Sequence, residues 1–212
     1  MLRKLFEYLC ASLMLGIALM ALLGAVDPAI SAQSNADEPS PYLIDSNVIP
    51  KIICAPWMGS GVYIGNGLVA TARHVTSSGN CYAAGHPATI VKSSLAPGRD
   101  FVLLKVEGRA QFRALIDCGG FHEGQLYLAT GYAEDARATV TQLLTGSSTR
   151  TREKGFAGLV ILRGSVTQGM SGGPIVRLDN GALVGIINAN AGDGITSVLS
   201  LPLSDTPLCK KD

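Results

Sequence analysis

With 212 residues, the chain is long enough for one or two compact units with their own apolar core. Charged residues make up 16% and apolar residues 47%, which argues against a disordered chain, and a formal net charge of +1 leaves no electrostatic footprint for nucleic-acid phosphates. The 25 glycines suit short strands joined by tight turns better than helices, where each interior Gly costs stability, so an all-β fold is predicted.

Residues 1–32 read as an export segment. Arg3 and Lys4 precede an uncharged apolar stretch over 9–26, followed by Asp27, Pro28 and the small residues Ala29, Ser31 and Ala32. That is the basic, apolar, small-residue order of a secretory signal. The stretch also reaches the lower limit for crossing a bilayer, and Ile30 is an imperfect residue so close to a cut at Ala32. An uncleaved anchor with Arg3 and Lys4 inside is therefore the alternative. Either way the remainder is expected outside the cytoplasm, touching a membrane only through this segment if it is retained. Residues 33–50, polar and carrying Pro39 and Pro41, read as a flexible linker.

Cys10 falls in the apolar stretch, which leaves Cys54, Cys81, Cys118 and Cys209 in the exported part. In an oxidising compartment four cysteines allow two disulfides with three connectivities, each bond stabilising by about 2 to 4 kcal/mol. A zinc site built from Cys54, Cys81 and His86 or His122 is the competing arrangement, but no close cysteine pair is present and metal sites usually have one. No metal is predicted.

Short strands follow in chain order. Residues 61–70 (GVYIGNGLVA) read as two strand pieces around Asn66-Gly67, a strong hairpin signal. Residues 101–106 (FVLLKV) form a buried strand, and 125–131, 138–144, 159–163, 175–178 and 183–188 continue at intervals that suit a meander. After the export segment no helical apolar period exceeds about two turns. Barrels or a sandwich are implied.

Three of these segments carry chemistry. Residues 68–75 (LVATARHV) are a hydrophobic strand ending at His74, where an imidazole is held by the sheet and faces a cleft, as a general base requires. Asp100 stands immediately before the 101–106 strand, where its carboxylate can accept the second ring N–H of a histidine and fix its tautomer. Residues 168–176 (QGMSGGPIV) place Ser171 among glycines, in a chain able to turn sharply, expose a hydroxyl and aim the Gly169 and Ser171 N–H groups at one spot. His86 and His122 lack a preceding apolar strand, and Asp117 and Asp135 precede none comparable, so they are poorer candidates.

Taken together, ATARHV, GRDFVLLKV and QGMSGGPIV, in that order, resemble the trypsin-like serine peptidases, in the style of the minimal bacterial and viral members and of HtrA-type protease domains, whose GSGV strand residues 59–62 also resemble. The resemblance runs from about residue 54 to 201. It implies an all-β fold of two six-stranded Greek-key antiparallel barrels with the active site in the cleft between them. The protease domain is expected over 51–212, with barrels at about 51–115 and about 122–205. It also implies a serine endopeptidase acting on protein or peptide substrates, in which Ser171 attacks, His74 moves the proton, Asp100 orients His74, and Gly169 and Ser171 supply the oxyanion N–H groups. Ser165 is placed at the base of the primary pocket, with Gln168, Asn188, Ala189, Asn190 and Gly194 as further substrate-binding positions. No carboxylate is evident there, which implies a preference for small or apolar residues before the cut.

Two departures from the family matter. Met170 precedes the serine where zymogen-type members have an aspartate, so no N-terminal ion pair is expected to activate the chain. Val75, not a cysteine, follows the histidine. By analogy with the bridge that closes the histidine loop in animal members, Cys54 would pair with Cys81, and Cys118 with Cys209. No cofactor motif is present. The rival readings are a catalytically silent exported binding module, an esterase-like hydrolase, which would need the order Ser, Asp, His and a nucleophile elbow, and a β-sandwich with a coincidental triad. Oligomeric state is not legible.

Overall fold

The computed structural model describes residues 45–91, 99–109, 111–151, 158–190 and 197–210. The predicted export segment and most of the predicted linker lie outside the described residues. Among the described residues the regular structure is β, with short 3-10 turns at Ser46–Val48, Arg73–Thr76 and Leu203–Asp205.

The first sheet holds β1 (Lys51–Cys54), β2 (Trp57–Ser60), β3 (Val62–Gly65), β4 (Leu68–Thr71), β5 (Cys81–Ala83), β6 (His86–Ile90) and β7 (Val102–Val106). Their order across the sheet is β2-β1-β5-β6-β7-β4-β3. Consecutive strands β2 and β3 therefore occupy the two opposite edges, although only Gly61 separates them, and this forces the sheet to curl back on itself. The break has a local cause: the Ser60 N–H leaves the sheet for the Ser171 carbonyl at 2.8 Å, and the Gly61 N–H donates to the Pro50 carbonyl at 3.0 Å. The predicted strand piece over 59–62 is thus bent at Gly61. Counted as one bent strand, 57–65 restores the six-stranded barrel pattern.

The β3–β4 hairpin forms as predicted. Asn66 and Gly67 both have positive φ, 54° and 67°, the pair of left-handed residues that a primed turn needs. A side chain at Gly67 would overlap the Val106 carbonyl, so the turn packs directly onto β7.

The second sheet holds β8 (Leu126–Tyr132), β9 (Thr139–Thr145), β10 (Val160–Arg163), β11 (Pro174–Arg177), β12 (Leu183–Asn190) and β13 (Ser197–Pro202), closed as β10-β13-β12-β11-β8-β9. Closure removes both edges. Strand β12 is buried over its first six residues, as befits a strand covered on both faces. Tyr127, Leu144, Leu162, Met170, Ile175 and Val198 fill the barrel, while the core of the first sheet continues through Leu183, Ile186, Leu199, Leu201 and Leu203 of the second. The chain thus has the two-barrel, trypsin-like architecture.

The packed unit starts before β1: Val48 and Ile49, read from the sequence as linker, are 7% and 2% exposed. Cys54 pairs with Cys81 and Cys118 with Cys209. Cys54–Cys81 ties β1 to β5, and Cys118–Cys209 ties the segment between the two sheets to the C-terminal turn.

Candidate active site

The first sheet presents two side chains. Strand β4 ends at Thr71, and the 3-10 turn Arg73–Thr76 lifts the chain away from the sheet. Val75, 1% exposed, anchors that turn in the core against Gly59, where an added Cβ would lie 2.7 Å from Val75 Cγ2. His74, one residue earlier, is left with its side chain 48% exposed. Asp100 is fixed by the buried Phe101 and by β7, which pairs with β4 from Leu68↔Lys105 to Thr71↔Val102.

Asp100 grips the histidine twice. Its Oδ1 accepts from the His74 backbone N–H at 2.9 Å and its Oδ2 lies 2.7 Å from His74 Nδ1. A third donor comes from the second barrel: Asn188 Nδ2 donates to Asp100 Oδ2 at 2.6 Å and to the Asp100 carbonyl at 3.3 Å. Burial alone would push the Asp100 carboxyl up, but the hydrogen bonds and charge of His74, with the Asn188 hydrogen bond, outweigh it and hold the group below the ordinary carboxylate range. With Nδ1 engaged by a carboxylate, the imidazole is oriented and its Nε2 is left to act.

The second barrel presents a loop. Gly169 has φ +91° and Gly172 φ +84°, left-handed values that a side chain would strain. Space enforces the same choice: a Cβ at Gly169 would lie 2.7 Å from the Tyr132 carbonyl, and one at Gly172 would overlap Thr71 Oγ1 and the Ser60 carbonyl. The Ser171 hydroxyl donates to the Asn188 carbonyl at 3.0 Å; among the described residues no hydrogen bond joins it to His74. Nor does the Gly169 or Ser171 N–H have a hydrogen-bond acceptor among the described residues. Two unpaired backbone donors, one on the serine itself and one two residues before it, are what a developing oxyanion needs.

The family model for the trypsin-like peptidase domain matches residues 59–186, a span that contains His74, Asp100 and the 168–172 loop and ends just before Asn188. The chain belongs to the trypsin-like peptidase family. Solved structures agree with this membership at the level of the fold. The active form of the Rv3671c protease from M. tuberculosis shares 23% identity over 74% of this chain and 76% of that one, with a TM-score of 0.63. The MamO protease domain from Magnetospirillum magneticum shares 22% identity over 79% of this chain and 97% of its own, at a TM-score of 0.61. A serine endoprotease from Yersinia pestis shares 21% identity, with 75% of this chain and 60% of that chain covered and a TM-score of 0.60. No curated protein matches the sequence.

Within this family member the remaining candidate residues divide. Ser165 and Gln168 are exposed and Ala189 is half-buried on β12. Asn190 bridges to Val166, its Nδ2 donating to the Val166 carbonyl at 2.7 Å and its Oδ1 accepting from the Val166 N–H at 3.3 Å; its side chain braces the 163–168 segment. Gly194 lies outside the described residues. Asn188, expected to meet substrate, is 1% exposed and turns its side chain inward onto Asp100. Its adjacency to the apolar run of β12 was the only sequence signal for a buried role. His86 is paired with Arg109 on β6, and Asp117 accepts from the Gly119 N–H and pairs with Arg177, so both are occupied elsewhere.

Proposed function

We propose that this trypsin-like family member is a serine endopeptidase in which Ser171, His74 and Asp100 carry the reaction. The observation that carries the reading is the double hold of Asp100 on His74, through both the backbone N–H and Nδ1. A carboxylate placed so serves one tautomer, the one whose Nε2 is free to accept a proton.

In the forward step the Ser171 hydroxyl leaves the Asn188 carbonyl and turns toward His74 Nε2. Its oxygen attacks the scissile carbonyl carbon as Nε2 takes its proton, and the carbonyl oxygen becomes an oxyanion facing the Gly169 and Ser171 N–H groups. The imidazolium returns that proton to the amine as the C–N bond breaks, leaving an ester on Ser171. Water then attacks the ester with His74 again as base. Reacting hydrogen bonds of this kind often tighten only when substrate is present. Met170, which stands where an activating aspartate would be, is fully buried in the barrel core, in keeping with a peptidase that needs no N-terminal ion pair. The disulfides support an exported protein, delivered by residues 1–32 as a signal or anchor.

The Ser171–Asn188 hydrogen bond favours one rival, a silent binding module. Incubation of the exported part with an unbiased peptide library, read by mass spectrometry, separates them. The expected result is cleavage after small or apolar residues that disappears in Ser171→Ala. Uncleaved peptides, or cleavage that survives that substitution, would overturn the reading; strong selection for Arg or Lys would overturn the pocket assignment.

A further inference from the structure

Ser60, at the end of β2, has no place in the chemistry above, yet it is 0% exposed and sits where the two sheets meet. Its hydroxyl donates to the Gly169 carbonyl at 2.9 Å and accepts from the Tyr132 N–H at 2.8 Å. Its backbone N–H donates to the Ser171 carbonyl at 2.8 Å, and its own carbonyl accepts from Thr71 Oγ1 at 2.7 Å. All of its polar groups are therefore engaged, two of them on carbonyls of the nucleophile loop.

A peptide unit is planar and trans, so holding a carbonyl fixes the N–H of the next residue in the opposite direction. The loop from 168 to 172 is held plane by plane on this rule. The Gln168 carbonyl accepts from the Glu134 N–H at 2.9 Å, which directs the Gly169 N–H away from β8, and the Met170 carbonyl accepts from the Gly173 N–H at 2.9 Å, which directs the Ser171 N–H. Between and after these, the Gly169 and Ser171 carbonyls are held by Ser60. Two planes are thus fixed from within the second barrel and two from the first sheet by one residue. Without Ser60, the Gly169–Met170 plane keeps only the Met170 N–H bond to the Thr167 carbonyl at 3.1 Å. Glycine at 169 resists rotation poorly.

We infer that Ser60 is a positioning residue that keeps the oxyanion hole formed in the absence of substrate: by holding the Gly169 and Ser171 carbonyls from across the seam it fixes the peptide planes adjoining those that carry the Gly169 and Ser171 N–H groups. This rests on the peptidase reading, since the hole matters only if a carbonyl oxygen becomes charged there. Close packing supports the clamp: a Cβ at Gly131 would lie 2.8 Å from Ser60 Oγ and 3.0 Å from Met170 Cα, and one at Gly173 would lie 3.3 Å from Ser60 Cβ. Glycine at 131 and 173 lets the backbone come this close to the Ser60 side chain.

The test compares the parent chain with Ser60→Ala, Ser60→Cys and Gly131→Ala, using a fluorogenic peptide from the library and active-site titration to correct for folded fraction. Gly131→Ala leaves the Ser60 hydroxyl in the chain but crowds it, so it checks the role should Ser60→Ala fold poorly. Losing one donor from an oxyanion hole costs about 10² to 10³ in rate. That loss is the ceiling here, since Ser60→Ala frees only the Gly169–Met170 plane and keeps the backbone hold on the Ser171 carbonyl. Ser60→Ala and Gly131→Ala are expected to lower kcat by about 10-fold with KM within about twofold, and to weaken a peptide aldehyde, which forms a tetrahedral adduct, by the same factor. Ser60→Cys, a weaker donor of similar shape, is expected between Ser60→Ala and the parent. A kcat within about threefold of the parent, or a loss confined to KM, would overturn the role of Ser60 alone. A parent chain with no turnover at all would overturn the peptidase reading and this role together.

Discussion

His74 and Asp100 stand at the ends of β4 and β7, neighbouring strands of the first sheet, and meet through side chains at 2.7 Å. Ser171 stands on a glycine loop of the second barrel, whose proposed working groups, apart from one hydroxyl, are backbone N–H donors. The first region is made of residue types whose chemistry is visible in a one-letter code. The second is made of peptide planes, and their direction depends on partners far away in sequence, such as Ser60 for Gly169 across 109 positions. Side-chain chemistry is specified locally; backbone chemistry is specified by packing. The two regions are joined by Asn188, Ser60 and Thr71, each reaching across the seam or holding a residue that does.

Substitutions should separate these regions by size of effect. The largest belongs to the side-chain half. Asp100→Asn keeps the shape but favours the wrong histidine tautomer, so kcat for peptide hydrolysis is expected to fall about 10⁴-fold, and Ser171→Ala by at least as much; a fall below about tenfold in either would break the division of labour. In the backbone half, Gly169→Ala meets the Tyr132 carbonyl and a forbidden φ, and a kcat loss of about 10² to 10³ is expected at near-constant KM.

Asn188→Leu comes next. It removes one neutral donor from a charged carboxylate, a bond of the class worth about 1.5 to 3 kcal/mol. A kcat/KM loss of about 10- to 100-fold is expected, recovered in part by Asn188→Ser if that hydroxyl reaches Asp100. An unchanged rate would assign Asn188 to packing alone.

The smallest effect is on stability. Because the folded-state Asp100 carboxyl is held below its ordinary range, it contributes stability that is present above the unfolded pKa, near 3.9, and lost as pH falls through the folded value. Denaturant melts from pH 6 to pH 3 should therefore lose more stability in the parent than in Asp100→Asn; parallel slopes would contradict the hydrogen-bonded hold on the Asp100 carboxylate.

Much of this was legible in advance because it was local. Asn66-Gly67 marked its hairpin, and the apolar runs ending at His74 and beginning after Asp100 marked β4 and β7. Strands β1, β5 and β6 were not legible, and β2 only at its end, through the 59–62 resemblance: β5 is three residues long, and β6, HPATI, begins with exposed His86 and Pro87, so no apolar alternation announces either. Cys54–Cys81 ties β1 to β5, while β2 pairs with β1 and β6 pairs with β5 and β7. At the site, His74, Asp100 and Ser171 stood out as reactive types beside strands, whereas Asn188 read as a substrate contact. Its inward turn depends on Asp100, 88 residues away, and no local pattern carries that. Ser60 showed only as the middle of a Gly-Ser-Gly triplet.

The proposed function requires that Ser171 be an activated nucleophile served by His74. Labelling of the purified exported part with a fluorophosphonate tests it most directly, since the probe bonds covalently to a serine oxygen only when a base removes its proton and the oxyanion hole receives the phosphoryl oxygen. Rapid labelling at Ser171 that is lost in both Ser171→Ala and His74→Ala is the expected result. A folded chain that stays unlabelled, or that labels equally well without His74, would contradict it.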